Sequence, residues 1–132
     1  MASHHFIGKG RSSARLIQAT TDPEALSKTI IGLVEDSGLS VMSETMSRFP
    51  DGGMTFVWVL AESHLVLHYW ADEGFSTLDL HVCDYQRSNA EKAARLKAAL
   101  EAYCFAPGTS NWNDLAIEDP ASSKITQAVA QP

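Results

Sequence analysis

Cysteine is scarce in this chain of 132 residues: Cys83 and Cys104 are the only two, and they lack the CxxC spacing of a zinc ribbon or a redox motif. Neither a disulfide framework nor a structural zinc site is expected. Basic residues are also short, 10 Lys and Arg against 16 Asp and Glu for a net charge of -6, so no basic stripe stands ready for a phosphate backbone. Nucleic acid is therefore not an expected partner, and a small cationic molecule suits the chain better. Long apolar runs are missing too. The longest, FVWVLA, falls far short of the roughly 20 residues a membrane-spanning helix requires. No secretory signal is read, and the cytoplasm is the expected compartment. Repeats and low-complexity segments are absent.

What remains is the composition of an ordinary globular protein, 45% hydrophobic and 20% charged, at a length that suits one domain. Residues 1–13, polar and rich in Gly and Ser, read as a mobile lead-in, and ARLIQA reads as a first strand. A helix follows in TDPEALSKTIIGLVEDSGL: Asp22 caps it, Pro23 suits its first turn, Leu26, Ile30, Leu33 and Val34 form its apolar face, and Gly38 stops it. LSVMSETMSRF and MTFVWVLA read as a hairpin about the turn PDGG. HLVLHYW and FSTLDLHVC read as a second hairpin about ADEG. A second helix carries Ala93, Leu96, Leu100 and Tyr103 at helical spacing behind a capping box of Ser88 and Glu91. A short last strand is expected around Leu115 to Ile117, and residues 120–132 read as a loose tail. The expected fold is α+β, a two-layer sandwich with an antiparallel sheet and helices packed on one face, as a single domain over residues 14–119.

Period two sorts the second hairpin into faces. Leu78, Leu80 and Val82 share one side of their strand, leaving Thr77, Asp79, His81 and Cys83 on the other; Leu65 and Leu67 stand opposite His64, Val66, His68 and Trp70. With the leucine faces against the helices, His68 and Cys83 look out from the same side. Taken singly, each of these residues has an ordinary role. A cysteine is most often a small core hydrophobe, a strand histidine is usually structural, and Ser63 alone is a turn residue. Phe49, Trp58 and Trp70 suit a core or an interface. Zinc held by His68, His81 and Cys83 is a loose pattern with a high false-positive rate, and no metal is expected. His64 and His68, four apart on a strand, lie about 13 Å from each other rather than side by side.

Taken together, the residues change the reading. ESH, then HYW, DEG and LDLHVC, resembles the processing and active-site region of the prokaryotic S-adenosylmethionine decarboxylase proenzymes. There a Glu-Ser-His sequence precedes a strand ending His-Thr-Trp, a Pro-Glu-x-Gly turn and a strand ending Thr-Cys-Gly. The similarity is close over residues 49 to 83 and weak in the first dozen residues and after residue 105.

The resemblance implies self-cleavage between Glu62 and Ser63. The Ser63 hydroxyl attacks the Glu62 carbonyl to give an ester; β-elimination then leaves dehydroalanine, which hydrolyses to a pyruvoyl group and ammonia. The cofactor is thus a pyruvoyl group derived from Ser63, whose ketone forms a Schiff base with the substrate amine and takes up the electrons freed by loss of carbon dioxide. By the same resemblance His68 serves processing and Cys83 donates a proton to the decarboxylated carbon, since an ordinary thiol is protonated at neutral pH. His81 stands close enough in sequence to tune that thiol. Phe49 and Trp70 match aromatic positions that enclose the substrate, and Thr55 matches a serine hydroxyl. Asp72 replaces a glutamate that contacts ribose, with Glu73 beside it as a substitute. The resemblance further implies a homodimer of processed protomers.

The departures are specific as well. Phe56 stands where the family has glycine and is expected to intrude on the pocket; Tyr69 replaces Thr, Ala71 and Asp72 replace Pro-Glu, and Asp84 replaces Gly. Three readings follow: decarboxylation of S-adenosylmethionine, supplying the aminopropyl donor for spermidine synthesis; pyruvoyl-dependent decarboxylation of ornithine or arginine; and an unprocessed, non-catalytic homologue. Only the first two require cleavage.

Overall fold

Alternation of apolar and polar residues builds one six-stranded sheet in the computed structural model, which describes residues 2–117. The elements run β1 (Ser3–Arg11), α1 (Ala14–Ala19), α2 (Pro23–Asp36), β2 (Val41–Arg48), β3 (Met54–Leu60), β4 (Ser63–Trp70), β5 (Phe75–Cys83), α3 (Ala90–Cys104) and β6 (Asn111–Ile117). Their order across the sheet is β2-β3-β4-β5-β1-β6, every neighbour antiparallel. Phe56 and Trp58 of β3, Leu65 and Leu67 of β4, and Leu78 and Leu80 of β5 are buried against Leu26 and Ile30 of α2 and Leu96 and Leu100 of α3. The α+β two-layer reading holds, with the helices on one face. No helix among the described residues is long and apolar enough to cross a membrane.

The start of the chain differs from expectation. Residues 3–11 are not a lead-in but β1, an interior strand paired with β5 on one side and β6 on the other, so the folded unit begins well before residue 14. Its glycines, which read as flexible, are packing devices: a Cβ at Gly8 would lie 2.6 Å from the Trp112 ring, and one at Gly10 would lie 2.9 Å from Phe105. ARLIQA is not a strand but the helix α1, because the Ser13 hydroxyl accepts from the Leu16 amide and caps it.

Other local signals behave as read. Asp22 accepts from the Ala25 amide at the start of α2, Pro23 is its first residue, and Gly38 ends it at φ +95. The hairpin turn closes through Phe49 N–H to the Gly53 carbonyl at 2.8 Å, with Gly52 at φ +90. The Ser88–Glu91 capping box does not form. Asn89 occupies the cap position of α3, its amide donating to Asp84 Oδ1 at 2.7 Å and its side chain to the Cys83 carbonyl at 2.9 Å. The last strand is longer than expected, and the expected tail at residues 120–132 lies outside the described residues.

Within the core, Trp58 Nε1 donates to Ser27 Oγ at 2.9 Å, and that hydroxyl in turn donates to Glu44. Cys104 is buried and takes the ordinary role of a core thiol, its pKa pushed up to about 12 by burial. Phe56 also faces the helices, stacked on Trp58 at 5.5 Å, and so does not intrude on the open side of the sheet as expected.

Candidate active site

The face of the sheet away from the helices carries two groups of candidate site residues. The first is centred on Ser63, which opens β4. By register Ser63 sits opposite Val82, whose side chain is buried against the helices. Its hydroxyl nonetheless reaches the open face, with Oγ 3.0 Å from His81 Nδ1 and 3.3 Å from His64 Nδ1. A distorted backbone accompanies this departure: Ser63 has φ +155, the one positive value at a non-glycine position among the described residues. Such backbone is costly for a side chain and tends to persist where the surroundings enforce it. The preceding carbonyl, that of Glu62, accepts a hydrogen bond from the Cys83 amide at 2.8 Å, and the Glu62 carboxylate accepts one from the Ser40 amide at 3.2 Å. The carbonyl of the 62–63 peptide thus faces a fixed backbone donor, and the Glu62 side chain is anchored separately.

Strand pairing explains the imidazoles. His5, His81 and His64 come from β1, β5 and β4 at directly opposed positions, and their rings lie 5.0 Å (His5 to His81) and 5.3 Å (His64 to His81) apart. His5 Nε2 donates to Asp79 Oδ1 at 2.7 Å, and His64 Nε2 lies 3.9 Å from the same oxygen. Burial lowers the His81 pKa, and the neighbouring His5 and His64 lower it further against a smaller opposing pull from Asp79. Cys83, two residues on and facing the same side, is a half-buried free thiol.

The second group is centred on His68. Thr55 and His68 are register partners on β3 and β4, and Thr55 Oγ1 lies 2.5 Å from His68 Nδ1. The His68 ring sits 3.8 Å from that of Trp70 and 5.7 Å from that of Phe49, and Trp70 stacks on Phe75 at 4.8 Å. Phe49, Pro50, Asp51, His68 and Trp70 line a cleft of about 390 Å³. Burial lowers the His68 pKa, with Asp51 pulling the other way. Asp72 and Glu73 stand exposed in the turn after Trp70, outside the lining of this cleft.

The expected site residues therefore fall into two sets. Phe49, Thr55, His68 and Trp70 converge, as do Glu62, Ser63 and Cys83, but the sets do not meet. His68 is five residues from Ser63 along one strand, about 17 Å at the rise of an extended chain. It also pairs with Thr77, six positions from Cys83, so the shared face expected of His68 and Cys83 is present while proximity is not. The same separation leaves His68 far from His81 and Cys83, the other two residues of the loose zinc pattern. His5 and Asp79 escaped the sequence reading as site residues. Asp79 was legible as an outward residue on its strand, whereas His5 was hidden by the misread start of the chain.

Fold and site together define a small α+β domain with a serine hydroxyl set among imidazoles at a hairpin, beside an aromatic cleft. Comparison with known proteins gives the family. The sequence profile of S-adenosylmethionine decarboxylase matches residues 10–105, and the chain belongs to that family. It is 35% identical over 79 residues to an S-adenosylmethionine decarboxylase proenzyme from Symbiobacterium thermophilum, a match covering 60% of this chain and 60% of that protein. A proenzyme of the same name from Picrophilus torridus is 36% identical over 80 residues, 61% of this chain and 58% of the relative. Another from Thermotoga petrophila is 28% identical over 94 residues, 69% and 72% respectively. The chain thus matches about three-fifths of the length of the first two relatives. The crystal structure of the adenosylmethionine decarboxylase from Aquifex aeolicus shares the fold, with a TM-score of 0.69 at 21% identity over 91% of this chain and 95% of that one.

Proposed function

We propose that the chain is a self-cleaving, pyruvoyl-dependent decarboxylase of S-adenosylmethionine, working as a homodimer in the cytoplasm. The observation that carries this reading is the Glu62–Ser63 peptide, whose carbonyl is gripped by the Cys83 amide while the Ser63 hydroxyl sits between two imidazoles. The bond from the Cys83 amide continues the β4–β5 ladder by one pair, but strand pairing does not require a serine hydroxyl between two imidazoles, and that placement is what an N-to-O acyl shift needs. The site fits the derived group: after cleavage it would be carried on the His64 nitrogen, at the edge of the open face. A pyruvoyl group there supplies a carbonyl for the substrate amine and an electron sink for the bond to the departing carboxylate.

The chain's own residues supply the rest. Phe49 and Trp70 would hold the sulfonium and adenine of the substrate, a cation over such rings gaining roughly 0.5 to 2 kcal/mol. Asp72 or Glu73 would accept from the ribose hydroxyls. Cys83 would donate a proton to the carbon that has lost carbon dioxide, and His68 would move the Ser63 α-proton during processing. Within one protomer these two ends of the sheet are too far apart, which favours the dimer. Ile7, Val59 and Leu115 lie exposed on the open face, 41 to 51% accessible, alongside the partly covered Trp70 and Phe75. A two-fold pairing of these faces, isologous as most homodimers are, would set one copy's Ser63 and Cys83 against the other's His68, Phe49 and Trp70. The two unpaired thiols support a reducing compartment.

The test is the intact mass of freshly purified protein, with carbon dioxide release from S-adenosylmethionine. Two fragments split after Glu62, the second blocked at its N-terminus, are expected, with release of carbon dioxide. Ser63→Ala should stay whole and inactive. A wild-type chain that remains uncut, or that is cut but releases carbon dioxide only from ornithine or arginine, would sink the reading.

A further inference from the structure

Resting on the self-cleavage just proposed, we infer that His81 is a catalytic residue of the first processing step: it takes the Ser63 hydroxyl proton and returns it to the departing amine. Processing needs two distinct proton movements, one from the hydroxyl and one from the Ser63 α-carbon. His68 stands five residues along β4 with its Nδ1 engaged by Thr55 and has no access to this hydroxyl within its own chain. His81 has it, at 3.0 Å, the shorter of the two imidazole contacts.

Three parts of an acyl-transfer site are present around the 62–63 peptide. Ser63 Oγ is the nucleophile and His81 Nδ1 the acceptor at hydrogen-bond distance. The Cys83 amide, 2.8 Å from the Glu62 oxygen, is the donor for the charge that develops there. In the step, the Oγ–H proton passes to Nδ1 as the bond from Oγ to the Glu62 carbonyl carbon forms. The bond from that carbon to the Ser63 nitrogen then breaks, and the nitrogen takes the proton from the imidazolium. An ester and a free amine result, with no oxidant, reductant or co-reactant.

A base must be neutral to accept. The groups facing His81 are His5 from β1, His64 from β4 and Asp79 on its own strand. Asp79 is engaged by His5 at 2.7 Å and approached by His64 at 3.9 Å, and its upward pull on His81 is smaller than the lowering by burial and by the two flanking rings. Burial and those rings lower the His81 pKa from the ordinary histidine value, which favours the neutral ring at neutral pH. His64, the other ring near Ser63, has a side chain 42% exposed and contacts the hydroxyl at 3.3 Å.

The experiment follows cleavage of full-length chain made by cell-free synthesis, from uncut to cut, by denaturing gel and mass. Wild type should cleave at a rate that is level at neutral pH and falls as pH drops below about 6.5. His81→Gln, with folding checked by circular dichroism, should cleave roughly 100- to 10,000-fold more slowly, with the pH inflection gone. His81→Gly should regain part of its rate in millimolar imidazole. His64→Gln should cleave with the wild-type pH inflection. A folded His81→Gln chain cleaving at the wild-type rate overturns the assignment, as does a wild-type profile with no inflection below neutrality, which is informative even if the variants misfold. Those outcomes leave self-cleavage standing; a wild-type chain that never cleaves removes both readings.

Discussion

Thr55 Oγ1 and His68 Nδ1 lie 2.5 Å apart across the β3–β4 register, fixing the His68 ring against Trp70. The hydroxyl does what a methyl of the same shape cannot: it sets the rotation of the imidazole and the tautomer it presents to the open face. Thr55→Val should therefore lower processing by roughly 2- to 10-fold, the worth of one neutral hydrogen bond, and Thr55→Ser should restore it. Time courses of cleavage for the three chains, compared at one pH, check this; equal rates would mean the contact is only structural.

Cys83 presents two separable groups: its amide bonds the Glu62 carbonyl while its thiol faces the open side. Cys83→Ala keeps the amide and removes the thiol. The variant should cleave close to normally but release carbon dioxide roughly 100- to 10,000-fold more slowly, the usual cost of losing a positioned acid. Normal turnover in the cleaved variant would return Cys83 to packing.

Much of the fold was legible because it rests on local rules. The Asp22–Pro23 start and Gly38 end of α2, the PDGG turn, and the alternation through β3, β4 and β5 each follow from residues a few positions apart. What escaped depends on contacts remote in sequence. Gly8 and Gly10 look like linker glycines until Trp112 and Phe105, about a hundred positions later, are seen lying on them. ARLIQA alternates weakly enough for a strand, but the Ser13 cap, the backbone bond from Ile17 to Ser13 and the burial of Leu16 accompany a helix. The site was legible in identity more than in arrangement. The resemblance pointed to Ser63, His68 and Cys83, but only the register separates them into two ends.

Gly8→Ala tests the packing of β1. The added methyl would sit 2.6 Å from the body of the Trp112 ring, which is itself tied by Nε1 to Glu101 at 2.7 Å. Overpacking of this kind costs about 1 to 3 kcal/mol, so the denaturation midpoint in urea should fall with little change in slope. An unchanged midpoint would show that Trp112 swings away freely.

Acid should weaken the fold through His68 and His81. Both have folded pKa values lowered by burial from 6.5, so above pH 6.5 neither folded nor unfolded chain binds the extra proton and stability is level. Below it the unfolded chain takes up protons first and stability falls with falling pH, until the lowered folded values are passed. Thermal melts from pH 7.5 to 5 should show this decline, made shallower by His81→Gln. A melting temperature equally pH-dependent in the variant would assign the effect to other groups.

The position of β1 bears on what a cut after Glu62 would leave behind. The first piece would own β1, β2 and β3, and the second β4, β5 and β6, yet the sheet runs β2-β3-β4-β5-β1-β6. The two pieces would be interwoven, not side by side. The opening strand of one would be threaded between two strands of the other, and three of the five seams would join unlike pieces. Neither could depart without tearing the sheet through its middle, so a severed backbone would still behave as one cooperative body. Denaturant would release both pieces in a single step, and neither alone would hold a complete sheet.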